Sequence, residues 1–361
     1  MKRLLLGLFA LLLLSGAGIA GWTYLDLHRA INHSKSGQYI TIPKGSSPSA
    51  IAKRLEADGI IQHEWPLLIY LKISGAGSRL KAGEYDFASP ITPLQAVEKL
   101  QRGQRKLDHL TIIEGWTRWD IAKAMVQVPQ FNLATEAQAL ELMDNVSLIS
   151  DIDPSARNLE GYLFPDTYEF APETTGAELI ESMVNRFRTV WNQDWPGHDS
   201  SLNRSPREIV TVASIIETEA KLAEERPVVA SVIYNRLQKN IPLAVDSSVI
   251  YASKLAGKWR YDGKVYKSDI ERRSPYNTRI YAGLPPGPVA SPGESSLKAA
   301  MNPATSEYLY YVRNPARDDG AHNFYNNGSE FETGVQALRN WERERDAQEA
   351  RQKREANGNA P

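Results

Sequence analysis

Glu217 and Glu219 are the residues of this chain best placed for acid–base chemistry, in the stretch Val212-Ala213-Ser214-Ile215-Ile216-Glu217-Thr218-Glu219-Ala220. At helical period Val212, Ile215, Ile216, Leu222 and Ala223 make one apolar stripe, and Glu219 falls inside it. Glu217 lies roughly 200° round the same helix, toward Val210, Ala213, Ser214 and Lys221, so the two cannot serve one site side by side. Desolvation disfavours the charged form, and a carboxyl on an apolar stripe therefore keeps its proton to higher pH, as a general acid requires. The bland alternative is that Glu219 marks a fraying helix end or pairs with a buried arginine.

The element that must carry these residues has its own start signal. Ser205-Pro206-Arg207-Glu208 supplies an N-cap, a proline at the first helical position and a glutamate placed to close a capping box. An amphipathic helix over Ala177–Gln193 precedes it, and the polar, Pro-containing stretch 194–206 separates the two. The following helix holds Val228, Val229, Val232 and Ile233 and ends at Asn235-Arg236-Leu237, ahead of Asp246 and Val249-Ile250-Tyr251. Beyond it, Ser274-Pro275-Tyr276-Asn277-Thr278 and Gly283-Leu284-Pro285-Pro286-Gly287-Pro288-Val289-Ala290-Ser291-Pro292 read as stiff loops with backbone groups free to line a cleft. The competing reading is a surface crossover.

An internal repeat lies upstream. Thr41-Ile42-Pro43-Lys44-Gly45 followed by Ile51-Ala52-Lys53 returns as Thr111-Ile112-Ile113-Glu114-Gly115 followed by Ile121-Ala122-Lys123. Each copy later reaches a shared aromatic piece, Tyr85-Asp86-Phe87 or Tyr168-Glu169-Phe170, with an amphipathic helix expected after it. Each unit reads as strand, glycine turn, helix with Ile51 or Ile121 inward, further helix, and strand. A structural duplication and a glycan-binding module both fit. Leu159-Glu160-Gly161-Tyr162-Leu163-Phe164-Pro165-Asp166-Thr167-Tyr168 is dense in aromatics, which suits sugar stacking or ordinary packing equally.

At 361 residues the chain implies two or three domains. With 42 basic against 43 acidic residues, dispersed along the chain, nothing marks a nucleic-acid surface. The absence of cysteine excludes thiolate zinc sites, disulfides and cysteine nucleophiles. The histidines are scattered, so neither a metal nor a cofactor is expected. Met1-Lys2-Arg3 precedes an uncharged run from Leu4 to Leu25, enough for a hydrocarbon core of ~30 Å, with Trp22 and Tyr24 at its far end. A cleaved signal peptide is the competing reading, and either implies export. Gly16-Ala17-Gly18-Ile19-Ala20-Gly21 spells a dinucleotide fingerprint, but no strand precedes it, and nucleotide binding is rejected.

Taken in order, the Ala213–Glu219 motif, Val232-Ile233-Tyr234-Asn235-Arg236-Leu237, Asp246 with Val249-Ile250-Tyr251, Tyr276-Asn277-Thr278 and Gly283–Gly287 resemble the endolytic murein transglycosylases of the YceG-like family, from about Thr41 to about Leu338. Asp246-Ser247-Ser248 departs from the family pattern and leaves both serines open as contacts.

The resemblance implies an α+β chain: tip 1–3, transmembrane helix 4–25, linker 26–38, LysM-like module 39–106, related module 107–175, a mixed helical catalytic domain 176–340 with Pro/Gly-rich cleft loops, and a charged tail 341–361. It implies Glu219 as the catalytic acid. Glu217, Asn235, Asp246, Tyr276, Asn277, Leu284 and Pro285 follow as substrate-binding or supporting positions. Phe324 is expected to border the cleft and His322 to be structural. The implied substrate is peptidoglycan, cut outside the inner membrane beside membrane-bound glycan synthases. A muramidase-type hydrolase using Asp246 or Glu217, and a non-catalytic glycan-binding scaffold, are the rivals.

Overall fold

The computed structural model describes residues 2–103 and 107–358; the side chains of 2–8, 10, 12 and 353–358 lie outside the description. The ends of the expected tip, first module and tail, at 1, 104–106 and 359–361, therefore fall outside it. The chain is mixed α and β, mostly helical with small two-stranded sheets, and divides into two compact units, Met1–Asp108 and His109–Pro361.

The first unit runs α1 (Lys2–His28), β1 (Tyr39–Ile42), α2 (Pro48–Ala57), α3 (Glu64–Ser74), β2 (Gly83–Asp86) and α4 (Pro93–Arg102). Strands β1 and β2 pair antiparallel with Ile40 opposite Tyr85. Alternation puts Ile40, Ile42 and Tyr85 on the buried face, where they meet Ile51 and Leu55 of α2. Ser47 caps α2 by accepting from the Ala50 N–H, with Pro48 at the first helical position.

The stretch 26–38, expected as a linker, is built into this unit instead. Leu27 is buried, Ile31 bridges Ile91, and a ring nitrogen of His33 hydrogen-bonds the Ala88 carbonyl at 2.8 Å. Burial of the apolar Leu27 side chain favours this docking. Helix α1 covers the expected membrane segment, whose leucines at 4, 5, 6, 8 and 12 have side chains outside the description. Among the described residues no helix is long and apolar enough to cross a membrane.

The second unit continues with β3 (Asp108–Thr111), α5 (Arg118–Val126), α6 (Glu136–Leu142), β4 (Thr167–Phe170), α7 (Gly176–Asp194), α8 (Pro206–Glu219), α9 (Arg226–Gln238), α10 (Asp246–Leu255), α11 (Lys267–Ile270), α12 (Glu294–Met301), β5 (Tyr310–Arg313), β6 (His322–Tyr325) and α13 (Gly328–Gly358). The sequence repeat is a structural one: β3 pairs with β4 as β1 does with β2, and Ile121 is buried on α5 as Ile51 is on α2. The turn glycines match as well. Gly45 at φ 81° and Gly115 at φ 80° occupy the left-handed region, where a side chain would be strained.

Residues 107–175 and 176–340 share one apolar cluster. Ile112, Ile121 and Met125 pack in the same core as Ile180, Phe187, Ile215 and Leu297. Helix α13 runs through the expected boundary at 340.

Candidate active site

Helix α8 begins as its sequence requires. The Ser205 side chain accepts from the Glu208 N–H while Glu208 reaches back to the Ser205 N–H, a capping box that contributes about 1 kcal/mol. From Ile209 to Ile216 every residue is buried. The Pro-rich loop lies along the helix, with the Val289 N–H donating to Ser214 Oγ at 3.0 Å and Arg207 Nε donating to the Pro286 carbonyl at 2.8 Å.

The helix ends earlier than the apolar stripe suggests. Glu219 is its last residue, Ala220 is extended at φ −103°, and Leu222 and Ala223 belong to the turn beyond. This position helps Glu219 keep its proton. The C-terminal end of a helix carries partial negative charge, which disfavours ionisation there.

Glu219 is half-buried, with its carboxyl end packed among side chains. Burial is the largest influence and pushes its pKa up to about 7. Tyr311 Oη donates to Glu219 Oε2 at 2.9 Å, which favours the charged form and pulls the other way. The Asp246 charge raises the pKa, while Arg279 and Arg236 lower it. Among the described residues no arginine is bonded to Glu219. The sequence left open a fraying helix end, and Glu219 does stand at the end of α8, but held there by Tyr311.

The pairing with a buried arginine belongs to Glu217. Its Oε1 accepts from Arg226 Nη2 at 2.8 Å and its Oε2 from the Gly293 N–H at 2.8 Å. It therefore joins α8 to α9 and to the start of α12, on the face away from Glu219.

Tyr311 reaches Glu219 because α9 pins the segment leading into β5. Asn235 Nδ2 donates to the Ser306 and Tyr308 carbonyls at 2.9 and 3.0 Å, and Arg236 Nε donates to the Leu309 carbonyl at 2.6 Å. Asn235 is thus committed to backbone. Asp246 opens α10 exposed to solvent and pairs with Arg279 Nη2 at 2.6 Å. Ser248 is buried and bonded to the Val245 carbonyl and Thr278; Ser247 Oγ is buried without a partner among the described residues.

Tyr276 and Asn277 stand apart from this group. Asn277 is fully buried, its amide donating to the Ile270 and Arg272 carbonyls at 2.8 Å each. Tyr276 packs on Tyr251 at 4.8 Å and lines a cavity with Glu160. Leu284 packs against the core and Pro285 is buried.

His322 accepts a structural position. Its ring bonds Glu225 at 2.8 Å and lies edge-on to Tyr311. Phe324 sits directly opposite Tyr311 in the β5–β6 register. Sequence reasoning missed Tyr311 and Arg279, although the run Tyr308-Leu309-Tyr310-Tyr311-Val312 has the aromatic and β-branched composition of a strand.

The order of these motifs has a counterpart in known proteins. The profile of the YceG-like family matches residues 40–337. The chain belongs to the YceG-like family. An endolytic murein transglycosylase of Bacillus subtilis strain 168 is 34% identical over 320 residues, 83% of this chain and 85% of that one. One of Streptococcus pneumoniae strain D39 is 31% identical over 84% of this chain and 59% of its own length. Among solved structures, a YceG-like protein from Listeria monocytogenes superposes with a TM-score of 0.55 at 33% identity, over 82% of this chain and 98% of that one.

In this YceG-like chain the raised pKa has a cost in stability. The folded state holds the Glu219 proton up to about pH 7, whereas the unfolded chain releases it near 4.5. Ionisation therefore destabilises the fold as pH rises through that interval, and the effect is complete above 7. Glutamine at 219 removes a charge worth about 1 kcal/mol after solvent screening. Scanning calorimetry should show Glu219→Gln melting ~2–4 °C above wild type at pH 8 and level with it at pH 4. Equal melting at both values would contradict the buried-acid geometry.

Proposed function

We propose that the chain is an endolytic murein transglycosylase that cuts peptidoglycan strands between N-acetylmuramic acid and N-acetylglucosamine and leaves a 1,6-anhydromuramoyl end. The observation that carries this reading is one carboxyl, Glu219, whose pKa burial pushes up to about 7 and which has a tyrosine donor, while the Asp246 carboxylate that acts on it is held in an ion pair with Arg279. Family membership and the names of its relatives support it.

Protonated Glu219 donates to the glycosidic oxygen as the C1–O bond breaks, leaving an oxocarbenium-like centre. The carboxylate then takes the proton of the muramoyl C6 hydroxyl as that oxygen closes on C1. One bond forms, one breaks, Glu219 ends protonated again, and no water is consumed. Tyr311 stabilises the carboxylate between the two steps. Asp246 is engaged by Arg279 in an ion pair at 2.6 Å, which speaks against its use in the hydrolytic rival.

The strand–helix–helix–strand order of 39–86 supports a LysM-like reading of the first unit. Lys2 and Arg3 ahead of the run Leu4–Leu25 support anchoring in the cell inner membrane with the remainder outside, where the enzyme would end nascent strands beside membrane-bound glycan synthases. Mass spectrometry of wild-type digests of purified sacculi tests the chemistry. Fragments lighter by one water than reducing muramic ends are expected, and reducing ends alone would overturn the reading.

A further inference from the structure

At the opposite end of α8 from Glu219 is a cavity of about 610 Å³ that the reaction does not use. Glu160, Tyr251, Tyr276, Arg207 and Arg157 line it. Arg207 and Glu219 are twelve positions apart on one helix, hence roughly 18 Å along its axis. Several sugar units fit between them.

The cavity holds polar groups that the fold leaves unfinished. Glu160 is 3% exposed; its Oε2 accepts from the Arg118 N–H at 3.1 Å, and its carboxyl faces the Tyr251 hydroxyl, with no hydrogen bond of ordinary length to Oε1 among the described residues. A buried carboxyl oxygen left short of hydrogen bonds is costly, so a ligand that bonds it recovers part of that cost. Burial pushes the pKa of Glu160 up to about 7, so it keeps its proton to higher pH than a free carboxyl and can bond a neutral hydroxyl or acetamide. The Asp153 carboxylate, by contrast, is satisfied by Tyr162 at 2.9 Å and Arg207 at 2.6 Å.

The rest of the lining suits a sugar. Tyr251 and Tyr276 give two rings 4.8 Å apart, and the Tyr276 hydroxyl has no hydrogen-bond partner among the described residues. Arg157 is exposed at the cavity and, among the described residues, is in no ion pair or hydrogen bond. An arginine free to take a bidentate acceptor fits a carboxylate.

We infer that this cavity is a second glycan subsite, which takes a muramic acid unit of the bound strand several sugars away from the scissile bond and holds its lactyl carboxylate at Arg157. This rests on the transglycosylase reading for the identity of the strand. It makes α8 a spacer between the cut and a distant grip on the same polymer.

The test uses the full chain carrying Glu219→Gln, so that glycan is bound and not consumed. Calorimetric titration would compare a peptide-free murein glycan long enough to reach from residue 219 to the cavity with a chitin oligomer of equal length, which lacks the carboxylate. Adding Arg157→Glu should weaken the murein glycan about 10-fold, or about 1.4 kcal/mol, and leave the chitin oligomer unchanged. Adding Tyr276→Phe should weaken both several-fold. Unchanged affinity for the murein glycan in both variants would overturn the subsite, and equal weakening of the two glycans by Arg157→Glu would overturn the carboxylate assignment. Failure of the transglycosylase reading would appear separately, as reducing ends in wild-type digests.

Discussion

Glu219→Gln should abolish the release of anhydro-ended fragments from purified sacculi, lowering turnover by at least about 10³-fold while leaving the fold intact. General acid–base transfer contributes roughly 10²–10⁴-fold in a single role, and Glu219 is asked to act first as acid and then as base. Glutamine preserves the shape of the side chain and an oxygen able to accept from Tyr311 Oη, now at 2.9 Å. What disappears is the proton alone. Liquid chromatography with mass detection reads the fragments directly, and circular dichroism checks the fold. Release of anhydro fragments at the wild-type rate would remove Glu219 from the chemistry and restore the scaffold reading, in which glycan is held and never cut.

Tyr311→Phe is expected to lower kcat about 100-fold, the scale seen when one preorganised donor to a developing negative charge is removed. The hydroxyl donates to the oxygen on which charge appears when Glu219 gives up its proton. Its bond lowers the Glu219 pKa against the rise that burial imposes. Without it the pKa moves further above 7, so the alkaline limb of the kcat/KM profile should shift to higher pH even as the maximum falls. The shift separates this role from simple packing. A phenylalanine that merely loosened the site would reduce activity without moving the limb, and superimposable profiles would contradict the assignment.

The two substitutions also bear on how the site is assembled. Tyr311 depends on β5, and β5 is held by Asn235 and Arg236 through the Ser306, Tyr308 and Leu309 carbonyls. The segment from α9 to β5 is thus the support of the acid's partner. Glu217, tied to Arg226 and the Gly293 N–H, supports the other face of α8. A pair of glutamates two residues apart is divided by helical geometry into one bonded to a tyrosine and one braced by an arginine.

Much of this was legible in the chain itself. The cap at Ser205, the proline at 206 and the apolar period through Ile216 specify α8 locally, because those signals act within a few residues. The repeated Thr-Ile and Gly turns foretold two strand pairs of one design, and a carboxylate among aliphatics foretold a raised pKa at Glu219. Each of these depends on spacing along the backbone, which a sequence contains in full.

Other features depend on contacts between distant segments. Tyr311 is 92 residues from the carboxyl it serves, and Arg279 is 33 from Asp246. Asn277 stands next to Tyr276 in the chain yet is consumed by the Ile270 and Arg272 carbonyls, while Tyr276 faces the Glu160 cavity. The end of α8 at Glu219 is likewise not written in the period, since Leu222 and Ala223 continue the apolar pattern past it. The sequence by itself pointed to Glu219 as the candidate acid and specified the helix that carries it. Only the tertiary structure decided which hydroxyl bonds that acid and which carboxyl is braced by arginine, because burial and hydrogen-bond partners come from packing across the chain.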